Sequence, residues 1–236
     1  MTGTPTPNLD LITLAHGNHP KREDGVCLLE LAAWIADEPH TDRPACVCPV
    51  LAEFGRVWND ALPGYPRQRL KPYAARLVGT RSTPNVEVRR AWLACDWLVR
   101  TFAPAWLRAG GLNDDARRIE TLPELTDTTT TDQTTPTFDR AKVNVHHVRG
   151  IHLSETSWLA AAAAAGTAAR NASLSASPAT ANVDIGGHQA RDIATITAFT
   201  LARRAISHLT TAQLDEIVET FDGSAFDLYD RMIATV

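Results

Sequence analysis

The chain has 236 residues, 44% of them hydrophobic and 21% charged, with a formal net charge of −4. That balance is ordinary for a globular protein and can bury a core without staples, so a fibrous or wholly disordered chain is excluded. No apolar run reaches the ~18 residues of a membrane span, and the polar, Pro/Thr-rich start lacks the basic and apolar regions of a signal peptide.

Residues 1–8 read as a disordered tail, and Leu9 to Ala15 as a short strand or turn. Gly25 to Glu38 reads as a helix stopped by Pro39. Pro49 suits the first position of a second helix running to about Leu62, with Val50, Leu51, Phe54, Val57 and Trp58 on its apolar face. A short helix over 72–78 should end at Gly79. Ser82 or Thr83 can cap a long helix from Pro84, which Pro104 should end or kink. After the Gly110–Gly111 break, Asn113 can cap a helix to about Thr121.

The string TDTTTTDQTTPT from Thr126 is polar and of low complexity. It reads as a linker over 126–140, separating a helical domain (9–125) from a helical C-terminal segment (141–236). In that segment Ala141 to Val148 alternates in part, like a short strand. Ser154 can cap an Ala-rich helix to about Ala172, and Ser173 to Gly187 reads as loop. A helix over 189–209 follows, then one capped by Thr210 with Gln213, which Gly223 could interrupt. The fold expected is mainly α, and the expected setting is cytoplasmic. Thiols stay reduced there, so the four cysteines are core, metal or reactive residues rather than disulfides.

Three of the four cysteines and three of the eight histidines lie between His16 and Cys48. Within them, Val26 to Ala36 is apolar except for Glu30. A helix hydrophobic all round is buried, so this carboxylate needs a partner or must become neutral. Cys27, three residues earlier, shares its face, and His40 and Asp42 follow just after the helix. Cys48 precedes Pro49, where a helix N-terminus favours a thiolate.

Three readings follow. A metal site would take Cys27, His40, Cys46 and Cys48, with His16 or His19 as substitutes; zinc suits that sulfur and nitrogen set, although the spacing is not that of a zinc finger. A hydrolase or transferase site would use Cys46 or Cys48 as nucleophile, His40 as base, and Asp42 or Glu30 to orient it. The third reading makes Cys27 a core residue, Glu30 a paired carboxylate and His40 a loop residue. No P-loop, nucleophile elbow or dinucleotide fingerprint selects a reaction.

Charge is uneven. From Arg56 to Arg118 there are twelve basic and five acidic residues, whereas from Thr210 onward there are six acidic residues and one Arg. The basic stretch is a candidate nucleic-acid surface, with Arg67, Arg69 and Lys71 in a Pro-rich turn as the first contacts. A protein partner is the alternative. His146, His147 and His152 form a second histidine group, read as a solvated loop.

The string GVCLLELAAWIADEPHTDRPACVCPVLAEFGRVWND, followed by RQRLKP and LVGT, resembles a protein family common in actinobacteriophage and actinobacterial genomes. The resemblance covers roughly residues 10–125, and the C-terminal SAFDLYDRMI shares it. It carries no activity and assigns no catalytic residue; it implies a phage or actinobacterial setting and an intracellular role.

Overall fold

The computed structural model describes residues 7–146, 155–205 and 211–236. Every regular element among them is helical, and no described helix is long and apolar enough to cross a membrane. Positions 147–154 and 206–210, which include His147, His152, the Ser154 cap and the Thr210 cap, lie outside the described residues.

Helix α1 spans Leu28–Ile35, shorter than the pattern predicts. Its start is set at Cys27, whose backbone N–H donates to Glu30. It ends before Asp37, which sits in the left-handed region at φ 56°. Helix α2, Pro49–Ala61, begins with proline at its first position as expected. The Pro-rich turn after it holds a single helical turn, α3 (Gly64–Arg67), and α4 is Lys71–Leu77. Residues 9–11 form a 3₁₀ turn rather than a strand.

Helix α5, Pro84–Trp97, does not stop at Pro104. It passes through a π-helical segment, Leu98–Phe102, into α6, Ala103–Ala109. Proline lacks an N–H and crowds the preceding turn, and the wider π turn just before it accommodates both. Helix α7 is Asn113–Glu120.

The expected Thr-rich linker is folded. Helix α8, Thr128–Asp132, starts on a reciprocal cap in which Asp127 accepts from Thr130 N at 2.8 Å and Thr130 Oγ1 accepts from Asp127 N at 3.1 Å. Buried Thr131 and Thr134 return their hydroxyls to the carbonyls of Asp127 and Thr131. The expected strand after it is helix α9, Thr135–His146. Phe138, Ala141 and Val145 are its buried positions, and that spacing of three and four is helical.

Helices α10 (Glu155–Leu174), α11 (Gly187–Ala205) and α12 (Thr211–Ala234) complete the fold. Gly223 is exposed and does not interrupt α12. Ala165, Ala168 and Ala172 of α10 and Leu228, Tyr229 and Met232 of α12 share one buried cluster with Leu28, Leu51 and Trp58. The C-terminal segment therefore packs into the helices of the first half.

Small residues make that packing close. A Cβ on Gly55 would lie 2.5 Å from Tyr229 Oη and 2.9 Å from Leu28 Cδ2. Tyr229 in turn donates to Leu51 O. Buried Arg90 anchors the end of α12 by donating to the carbonyls of Met232, Thr235 and Thr80. A cation is well placed there, at a helix C-terminus with free carbonyls.

Candidate functional site

Glu30 is the third residue of α1 and is 1% exposed. One oxygen accepts from His19 N at 2.6 Å. The other accepts from Cys27 N at 2.7 Å and faces His19 Nδ1 at 2.8 Å. His40 Nε2 lies 3.7 Å from the same carboxylate and 3.1 Å from His19 O. A carbonyl only accepts, so His40 carries its proton on Nε2. By the same logic, His19 presents Nδ1–H to the carboxylate.

Burial alone would raise the Glu30 carboxyl. The backbone N–H groups of Cys27 and His19, with the His19 ring, outweigh it and hold the group below its ordinary value of 4.5. This carboxylate is the partner-seeking acid that the apolar helix implied, and its partners come from the loop before α1.

Other polar side chains hold the same loop. Asn59 of α2, fully buried, donates to Ala15 O at 2.9 Å and accepts from Leu28 N at 3.3 Å. Gln68 bonds both N and O of Leu14. Asp60 accepts from Gly17 N. None of these three carries a sequence signal, because each looks like an ordinary polar position on a helix.

The remaining candidates separate into other environments. Asp42 pairs with Arg56 at 3.2 Å rather than with His40. Cys46 is partly exposed, and its neighbour is Glu38, which accepts from the backbone N–H groups of Ala45 and Cys46. Cys48 is fully buried at the N-cap of α2, and its N–H donates to Thr80. Cys27 is buried beside Glu30. His16 is exposed.

Burial, and then the Glu30 charge, push the Cys27 thiol up to about 12. Burial and then Glu38 also raise Cys46. Neither is tuned as a thiolate nucleophile, which needs the opposite shift. Among the described residues no three His, Cys, Asp or Glu side chains are arranged to hold a metal ion. Cys27 and His40 lie at Glu30, Cys46 lies beside Glu38, and Cys48 lies in the hydrophobic core.

Of the basic trio, Arg67 donates to Asn59 O and Leu62 O at the end of α2. Arg69 stacks on Phe226, and Lys71 donates to Leu9 O and Ile12 O. All three serve intramolecular contacts. Other arginines of the basic stretch, Arg108, Arg117 and Arg118, line an open groove of about 820 Å³ between α7 and α9, together with Arg140 and Asn144. Asp115 is buried in its lining, and it accepts from Asn144 at 2.8 Å.

Compared with protein-family models, curated proteins and solved structures, the chain matches none.

Proposed function

We propose that the protein is a cytoplasmic accessory or regulatory protein that acts by binding rather than by chemistry, in the phage or actinobacterial setting its sequence resemblance implies. Its N-terminal fold is organised around the Glu30 cluster. One observation carries this reading: the Glu30 carboxylate is used up by two backbone N–H groups and the His19 ring. It closes the 15–27 loop onto α1 instead of presenting a reactive group to a cleft.

Stability should then be independent of metal. Purified protein is expected to unfold at the same temperature with and without a strong chelator, and to carry no stoichiometric zinc by elemental analysis. A chelator-induced fall in the unfolding midpoint, with about one zinc per chain, would reinstate a site built from Cys27, His40, Cys46 and Cys48.

A second reading, nucleic-acid binding, is favoured by the arginine groove rather than by the Arg67–Lys71 turn. The Arg117–Asp114 pair is 68% and 69% exposed, and such surface pairs are worth little, so a phosphate backbone can exchange for the aspartate. If the groove binds nucleic acid, changing Arg117 and Arg140 to Ala should weaken binding and flatten the logarithmic salt slope by about 2. No binding at low salt, or an unchanged slope in the double variant, would end this reading.

A further inference from the structure

Arg43, Arg56 and Arg81 come from three separate stretches of chain, yet all line one cavity of about 270 Å³. They belong to the loop before α2, to α2 itself and to the loop after α4. Glu53 is the one acid in the cavity's lining.

The arginines play two roles. Arg56 is fixed in place: it pairs with Glu53 and Asp42 and donates to Asp42 O. Arg81 is 51% exposed and lies 3.8 Å from the buried Glu87 carboxylate. Arg43 is exposed and forms no side-chain hydrogen bond or ion pair with the described residues. Two cationic forks are thus available beside one that is already oriented. A guanidinium fork matches the oxygens of a tetrahedral anion.

The backbone adds to this field. Pro49, the first residue of the thirteen-residue α2, lines the cavity; it has no N–H to offer, so the helix contributes only the positive potential of its dipole. The cavity falls below the 300–1,000 Å³ typical of drug-sized ligands, which suits a phosphate group with few further atoms.

We infer that this cavity is a phosphate-binding site, for inorganic phosphate or the monoester of a small molecule. The site is separate from the Glu30 cluster, so it stands or falls independently of the architectural reading.

Titration calorimetry on the full chain, with inorganic phosphate and with glycerol phosphate at constant ionic strength, tests it. At least one of the two is expected to bind saturably with one site per chain, whereas chloride is not. Tighter binding of the ester assigns an organic ligand, and equal or weaker binding assigns inorganic phosphate. Changing the exposed Arg43 and Arg81 to Ala should cost at least tenfold in affinity, and Arg43→Ala alone should weaken binding while the ligand-free unfolding midpoint stays the same. Absence of saturable binding by both probes, or unchanged affinity in the double variant, would overturn the assignment.

Discussion

Changing Glu30 to Gln is expected to destabilise the protein by about 2–4 kcal/mol, a fall of roughly 4–16 °C in the unfolding midpoint for a chain of this size. The substitution keeps the shape but replaces one accepting oxygen by an NH₂ group. That group must face either His19 N, or Cys27 N with the His19 ring, so donor meets donor in a site that is 1% exposed. The pH dependence gives a second reading of the same contact. The folded-state Glu30 value lies below its ordinary 4.5. Its stabilisation is therefore complete above about pH 4.5 and is lost as pH falls through the lower folded value. Equilibrium unfolding of the native chain between pH 3 and 6 should show this acid limb, and the Gln variant should show less of it. Equal stability of the two proteins at pH 7 would remove Glu30 from the centre of the fold.

The second large effect is expected at Arg191, which is 1% exposed on α11. It pairs with Asp184 at 2.7 Å, donates to Ser173 O at 2.7 Å, and lies over the Trp92 ring at 4.9 Å. It thereby ties the end of α10 and the start of α11 to α5. Changing it to Met leaves a nearly buried aspartate and a carbonyl without their cation. Breaking a buried pair in this way costs about 3–5 kcal/mol. Urea unfolding should show that loss, and adding Asp184→Leu to the variant should recover part of it, because the stranded charge is then gone. If the double variant is no more stable than the single one, the cost lies in the Ser173 and Trp92 contacts instead.

The legible parts of this fold are those with local causes. Pro49 and Pro84 mark helix starts because proline at the first turn sacrifices no hydrogen bond. Glu30 stands out because an acid on an apolar helix must be satisfied somewhere. Which residues satisfy it was not legible: His16, His19 and His40 are equivalent in sequence, and only the path of the loop selects His19. Tertiary packing likewise overrode local signals elsewhere. The π turn absorbs Pro104, and burial of Thr131 and Thr134 holds a polar, linker-like stretch as α8. Arg90 and Arg191 gave no warning, since a basic residue on a helix normally points to water. Within the basic stretch, Arg67 and Lys71 bond backbone carbonyls of their own chain, a use that charge spacing alone does not show.

We propose that Glu30, with His19, Cys27 and His40, closes the 15–27 loop onto α1 and that no thiol of the 16–48 stretch is an activated nucleophile. Site-resolved thiol labelling of the native chain near neutral pH, followed by mass spectrometry, tests it most directly. Buried Cys27, Cys48 and Cys95 should react only as the protein opens, and Cys46, partly exposed but with its thiol raised by burial and Glu38, should react more slowly than free cysteine. Labelling of Cys46 or Cys48 faster than free cysteine would contradict this proposal and reinstate that residue as a candidate nucleophile.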